Sequence, residues 1–259
     1  MGQVNLFADI KDKVVLVTGG YGYLGSAISE ILADYGAVVY VGGRNILKFN
    51  EKFKNNDSIK FIELDVSDME SIELSFQRIF EKEKKIDVLI NNAYFGAANH
   101  PEKLTSDEWR MGMEGGVNQY FDMIKTSIPY IKKSKFGKII NIASMYGVVV
   151  PDLAIYNGRE EFLNPANYGT SKAAIIHLTK YYAMYLSKYQ INVNTISPGP
   201  FPSKEVQKDI EFVQRLKDKT KLKRIGEPDD LKGVILLLAS NSSNYITGQN
   251  ISVDGGWTL

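Results

Sequence analysis

Tyr168 and Lys172 are the first residues whose types and spacing could do chemistry. They bracket Tyr168-Gly169-Thr170-Ser171-Lys172, the start of a run whose pattern predicts a helix to about Tyr189. On a helix, residues four apart lie one turn above each other on one face. Free tyrosine titrates near 10 and free lysine near 10.4, so neither alone is a useful acid or base at neutral pH. An ammonium beside a phenol favours the phenolate, and burial opposes it. A tyrosine tuned toward neutrality can hand a proton to a carbonyl oxygen or take one from an alcohol. The same spacing also occurs on ordinary amphipathic helices, so the surrounding elements must decide.

Those elements alternate. Lys13–Thr18 is a short β-branched run of the kind buried on both faces of a parallel sheet. Gly19-Gly20-Tyr21-Gly22-Tyr23-Leu24-Gly25 follows directly, and Ala27, Ile28, Ile31 and Leu32 then recur with helical spacing. A strand, a glycine turn and a helix form the context in which backbone amides and a helix N-terminus face a pyrophosphate. Gly19, Gly22, Tyr23 and Leu24 are therefore candidate cofactor contacts. The second strand, Ala37–Val41, runs into Gly42-Gly43-Arg44. A carboxylate at this strand end would bind a ribose 2′-hydroxyl, but Gly43 has none. Arg44 suits a 2′-phosphate instead, which predicts NADP(H) as the preferred cofactor and NAD(H) as the lesser one. Strands at Lys60–Leu64, Ile86–Ile90, Gly137–Ser144 and Ile191–Ile196, with a seventh late in the chain, complete the series. The expected fold is α/β, a Rossmann-type doubly wound parallel sheet of about seven strands with helices on both faces. The glycine loop, Arg44, Asp65 and Asn91-Asn92 all fall at its carboxyl edge, where ligands bind.

Composition narrows the function. A chain of 259 residues with 44% hydrophobic and 24% charged residues is ordinary for one globular unit, and residues 1–259 are expected to form a single cofactor-binding domain. A net charge of +1 gives no footprint for nucleic acid or an anionic membrane. No apolar run approaches a membrane span, and Met1–Leu6 lacks the layout of a signal peptide, so the expected location is the cytoplasm. Without cysteines and with two histidines, His100 in a loop and His177 in a helix, no metal site is expected.

Thr18-Gly19 with its glycine loop, Asp65, Asn91-Asn92-Ala93, Ser144, Tyr168 with Lys172, Pro198-Gly199 and Asp254-Gly255-Gly256 stand in an order that resembles the short-chain dehydrogenase/reductase family. The likeness is to its single-domain branch and covers roughly residues 10 to 257. It implies Tyr168 as general acid/base and Lys172 as the group that lowers its pKa and binds the nicotinamide ribose. Ser144 would hold the substrate oxygen. Asp65 and Val66 would contact adenine, and Asn92 would contact the cofactor along the fourth strand. Pro198, Gly199 and Ser203 would shape the nicotinamide pocket. The family's assemblies imply a homodimer or homotetramer, formed through helices beside the fourth and fifth strands and through the last strand. The apolar Val234–Leu238 run is compatible with this and equally with core packing.

Four positions depart from the family pattern. Tyr23 stands where the middle glycine is usual, a spacing similar to the extended branch of the family. Tyr94 replaces a glycine after Asn91-Asn92-Ala93. Gly116 falls where a catalytic Asn is expected, on a helix near Trp109–Pro129, which puts the proton relay from Lys172 in question. Gly115-Gly116 costs a helix roughly 1 kcal/mol per glycine, so a kink or a close approach is expected there. Ser144 and Tyr168 are also 24 apart, longer than the family interval, and residues 148–167 form the excess.

That stretch is expected to line the substrate side, with Asp152, Tyr156, Asn157 and Arg159 offering polar groups to a hydroxylated or charged substrate. Its wording is similar to a subgroup in bacterial surface-sugar and flagellin-modification pathways. The resulting expectation is an oxidoreductase interconverting a carbonyl and a secondary alcohol on a small molecule, plausibly a sugar or nucleotide-sugar derivative. The alternatives are a 3-oxoacyl-type reductase and a non-catalytic cofactor-binding protein.

Overall fold

Among the described residues seven runs become strands, and most of them are buried. They are β1 (Val14–Thr18), β2 (Val38–Gly43), β3 (Ile59–Glu63), β4 (Val88–Asn91), β5 (Lys138–Ile142), β6 (Asn192–Pro198) and β7 (Asn250–Val253). The chain is seen in a computed structural model that describes residues 6–54 and 56–259. The signal-peptide reading of the N-terminus falls mostly on residues 1–5, outside the described residues. All neighbouring strands are parallel, in the order β3-β2-β1-β4-β5-β6-β7. The order reverses between β1 and β4, so their carboxyl ends open the crevice typical of a doubly wound sheet.

Helices cover both faces. Val15 and Val17 point into one apolar layer with α1 (Tyr23–Asp34), α2 (Ile46–Phe53) and α8 (Lys232–Ala239). Val14 and Leu16 point into the other, with α3 (Met69–Glu83), α5 (Gln119–Ile131) and α6 (Ala166–Leu186). Ile235, Leu236 and Leu238 of the apolar late run are core residues of the first layer. No helix among the described residues is long and apolar enough to cross a membrane.

The fourth-strand crossover breaks where the sequence places its glycines. α4 (Ser106–Met113) opens on a Thr105/Glu108 capping box and passes through one π-helical turn, Glu114–Asn118, into α5. A β-carbon on Gly112 would overlap the Asn167 side chain, and one on Gly116 would overlap Ser171. The glycines thus let this crossover lie directly against α6, and the expected close approach occurs beside a π-helical turn.

Residues 148–167 fold as two short 3-10 turns, Leu153–Tyr156 and Glu160–Phe162, docked on α7 (Ile210–Lys219). Ile155 and Tyr156 pack with Phe212 and Leu216 in a small core of their own. Arg159 pairs with Asp209 and Glu211, Lys219 pairs with Asp152, and Arg215 Nη1 donates to the Asn157 carbonyl at 2.7 Å. The Asp152 and Arg159 side chains, expected to face substrate, instead fasten the segment to α7, as does the main-chain carbonyl of Asn157.

Candidate active site

At the reversal point the glycine loop and the β4 end are clasped together. Thr18 Oγ1 accepts the Asn92 and Ala93 N–H groups at 2.9 and 3.0 Å. Asn92 Nδ2 donates to the Thr18 and Gly19 carbonyls at 3.0 and 3.2 Å. Gly19 holds φ +63°, a left-handed conformation that glycine adopts without a β-carbon penalty. A β-carbon on Gly25 would overlap the Gly19 carbonyl, so the start of α1 lies against the loop only because residue 25 has none. The result is a cleft of about 480 Å³ floored by the first turn of α1, where main-chain N–H groups have no helical partner.

The far wall of the cleft carries Ser144, Tyr168 and Lys172. Ser144 follows β5 in extended conformation, and α6 brings Tyr168 and Lys172 alongside. A hydrogen bond with Ser144 pulls the Tyr168 pKa down, but burial pushes it up more strongly, so it sits above the ordinary tyrosine value. Lys172 is 3% exposed, and burial drives its pKa down to about 7. Its Nζ donates to the Ile142 carbonyl at 3.0 Å and to the Tyr120 hydroxyl at 3.4 Å. Tyr94 meets Tyr168 edge to face, with ring centroids 5.0 Å apart. In this arrangement burial outweighs any help from the neighbouring amine, which differs from a phenol held low by a full ammonium.

A second pocket of about 320 Å³ lies beyond Ser144 and Tyr168. Met145, Phe162, Phe201, Phe212 and Leu216 give it apolar walls, and Tyr146, Tyr156, Asn164 and Glu161 give it polar groups. The Tyr146 and Tyr156 hydroxyls lie 2.7 Å apart, and Asn164 Nδ2 donates to Tyr156 at 3.0 Å.

A family profile described as enoyl-(acyl carrier protein) reductase matches residues 23–258. The 3-oxoacyl-(acyl-carrier-protein) reductase of Thermotoga maritima is 29% identical over 96% of this chain and 99% of its own. The D-arabinitol 2-dehydrogenase (ribulose-forming) of Candida tropicalis is 32% identical over 95% of this chain and 92% of its own. A solved short-chain dehydrogenase of Leptospira borgpetersenii, with bound NAD+, superposes with a TM-score of 0.88 at 32% identity, covering 100% of this chain and 98% of that one.

The chain belongs to the short-chain dehydrogenase/reductase family. As such it is an NAD(P)-dependent enzyme that interconverts a carbonyl and an alcohol.

Within this short-chain dehydrogenase/reductase, Gly19, Gly22, Tyr23, Leu24, Arg44, Asp65, Val66, Asn92, Ser144, Tyr168, Lys172, Pro198 and Gly199 all line the cleft. Ser203 does not: it is exposed, and its Oγ accepts the Val206 N–H at 3.4 Å to close a turn. Gly116 cannot be replaced in place by a larger residue, and Asn118 is turned outward with its amide on Glu114 at 2.7 Å. Tyr23 hydrogen-bonds Gln207 at 3.0 Å and Glu227 at 3.3 Å, tying the glycine loop to the segment after β6. Tyr21 covers Gly43, where a β-carbon would overlap its ring. Sequence reasoning did not find Tyr21, Phe95, Tyr120 or Phe201 at the site. Tyr21 and Phe95 adjoin motifs and could have been suspected, whereas nothing in its local pattern marks Tyr120. No cluster of potential metal ligands occurs among the described residues.

Proposed function

We propose that this enzyme is an NADP(H)-preferring reductase or dehydrogenase of a compact hydroxylated carbonyl compound of the sugar class. The observation that carries the reading is that Ser144 and Tyr168 line both the dinucleotide-sized cleft and the second pocket. A carbonyl entering from the second pocket therefore meets both hydroxyls at the face of the cleft. Tyr168 gives the proton to that oxygen, or takes it back, and Ser144 holds the same oxygen by a hydrogen bond. Lys172 steadies the phenolate left on Tyr168.

The cleft suits a nicotinamide dinucleotide. Gly22, at the N-cap of α1, and Gly25 keep the loop free of side chains where a pyrophosphate needs backbone amides. When bound, the cofactor supplies or accepts the hydride. Asp65 and Val66 would flank its adenine, Pro198 and Gly199 its nicotinamide, and Lys172 its ribose. Arg44 is 73% exposed at the side chain and pairs with Asp65 at 3.6 Å, so it can turn to a 2′-phosphate. No carboxylate opposes that at Gly43, which Tyr21 covers.

Aromatic walls with a few edge hydroxyls and amides suit a small ring carrying hydroxyl groups. Similarity to a D-arabinitol dehydrogenase favours the same class. A 3-oxoacyl thioester is the second reading, favoured by similarity to the Thermotoga reductase. Residues 148–167 would then be the substrate-side wall of one cofactor-binding unit spanning residues 1–259. Exposed Phe121, Tyr181, Met184 and Tyr185 on α5 and α6 support a homo-oligomeric contact through those helices.

The test is steady-state turnover of a panel of keto-sugars, alicyclic ketones and acetoacetyl thioesters with NADPH and with NADH. Keto-sugars should give the highest kcat/KM, and NADPH should exceed NADH at least tenfold. Preference for thioesters would overturn the substrate class, and preference for NADH would overturn the role of Arg44.

A further inference from the structure

Lys172 is enclosed by tyrosines from three separate elements. Its Nζ lies 5.3 Å from the ring centre of Tyr94 in the loop after β4, 5.2 Å from Tyr120 on α5, and 5.6 Å from Tyr168 on α6. Ring faces at these distances attract an ammonium, and more so in a site cleared of water. Of the three, Tyr120 alone also offers its oxygen to Nζ, at 3.4 Å. That hydroxyl donates its own proton to the Ile142 carbonyl at 2.9 Å, and Lys172 donates to the same carbonyl at 3.0 Å. Ammonium, phenol and carbonyl thus form a closed triangle inside a fully buried corner. Gly116, four residues before Tyr120, contributes no side chain and has no room for one. The crossover helix therefore reaches the lysine through Tyr120.

We propose that Tyr120 is a positioning residue for catalysis, its hydroxyl and ring holding the Lys172 amine in place and in its charged form. The proposal rests on the reading of Tyr168 and Lys172 as the proton-handling pair. A core tyrosine kept only to satisfy the Ile142 carbonyl would be a weaker account, because Lys172 already donates to that carbonyl. The titratable side chains facing Lys172 are Tyr94, Tyr120 and Tyr168. Tyr94 is pushed up to about 12, and Tyr120 and Tyr168 are also raised by burial, so all three face the lysine as neutral phenols at neutral pH. Burial pulls the lysine's own pKa down to about 7. Close to that midpoint, loss of one acceptor changes the charged fraction substantially.

The experiment is the pH dependence of carbonyl reduction in the Tyr120→Phe variant, with KM, NADPH affinity and melting temperature measured beside it. The phenylalanine fills the same space and removes only the hydroxyl. The expected result is kcat at pH 7.5 lowered about tenfold. NADPH affinity stays within about threefold, and the loss recovers as the pH is lowered and Lys172 regains its proton. The limb on which activity falls with rising pH therefore moves to lower pH by about one unit. Parental kcat and pH profile would overturn the proposal, and so would a kcat lost equally at every pH. Should Tyr120→Phe not fold, Tyr120→Met is read by the same criteria. Tyr168→Phe separates the layers. If it keeps parental turnover, the underlying reading fails and this proposal with it; if it loses turnover while Tyr120→Phe matches the parent, only this proposal fails.

Discussion

Around β1 and β4 the cleft is walled by main chain. Glycines lie at its floor, the carbonyls of Thr18 and Gly19 hold the Asn92 amide, and the first turn of α1 faces inward. Across the cleft, around Lys172, the wall is aromatic side chain: Tyr94, Tyr120 and Tyr168 come from three elements far apart in sequence. The first wall works by what its residues lack, since a β-carbon at 25 would force the loop away from α1. The second works by what its residues add, since three rings and a hydroxyl surround a lysine whose pKa burial lowers to about 7. A backbone cradle is indifferent to protonation, whereas under the proposed role of Lys172 an aromatic cage around a buried amine would make catalysis depend on pH. Binding and chemistry should therefore be separable by mutation.

The sharpest way to break this contrast is to add atoms where the crossover helix meets α6. Gly116→Asn restores the residue type the family pattern expects, but its side chain would collide with Ser171. Overpacking of this kind costs about 1–3 kcal/mol or more, so calorimetry should show a clearly lowered melting temperature and no gain in rate. An unchanged melting temperature would mean that the crossover is looser than the glycine contacts require.

Lys172→Met tests the cage by stability. The lysine's folded pKa, about 7, lies below the unfolded value near 10.4. Between these values the unfolded chain binds more protons, so stability rises with pH, and the full burial cost is present below about 7. The variant should melt above the parent at pH 6 and lose that advantage as the pH approaches 10. An advantage independent of pH would show that the lysine is not buried as an amine with a depressed pKa.

Arg44→Ala probes the cofactor wall at its guanidinium. NADPH should bind about tenfold more weakly, NADH should be nearly unaffected, and Lys172-dependent pH behaviour should be unchanged. Fluorescence titration checks this, and equal loss for both cofactors would remove Arg44 from 2′-phosphate recognition. The smallest effect is expected at Arg159→Ala, which releases the 148–167 segment from Asp209 and Glu211. Substrate KM should rise a few-fold with NADPH affinity unchanged, since the pairs are partly solvated. A rise in the NADPH dissociation constant instead would mean that the segment serves the cofactor side.

Legibility followed the same division. The strands were readable because each is a short β-branched run, and the cradle because Gly19, Gly22 and Gly25 act through local backbone. Tyr168 and Lys172 were readable because helical spacing fixes their relation. What escaped depends on packing between distant segments. Tyr120 sits in an amphipathic helix like any core aromatic, and only the approach of α6 gives its hydroxyl a lysine. Polar residues of the 148–167 segment read as substrate contacts because a sequence does not reveal that α7 carries their partners. Ser203 followed from a family pattern, and its loop closes a turn away from the cleft. Gly115 and Gly116 announced a close approach without naming Phe95 and Ser171 as the surfaces approached.

The most direct measurement is the Tyr168→Phe variant, assayed for NADPH binding by nicotinamide fluorescence and for carbonyl reduction on the best substrate of the parent. Cofactor affinity within about threefold of the parent, with kcat lowered by roughly a hundredfold to ten-thousandfold, is the predicted result. Turnover equal to the parent's would contradict the assignment of proton transfer to Tyr168, and with it the account of the tyrosine-lined wall.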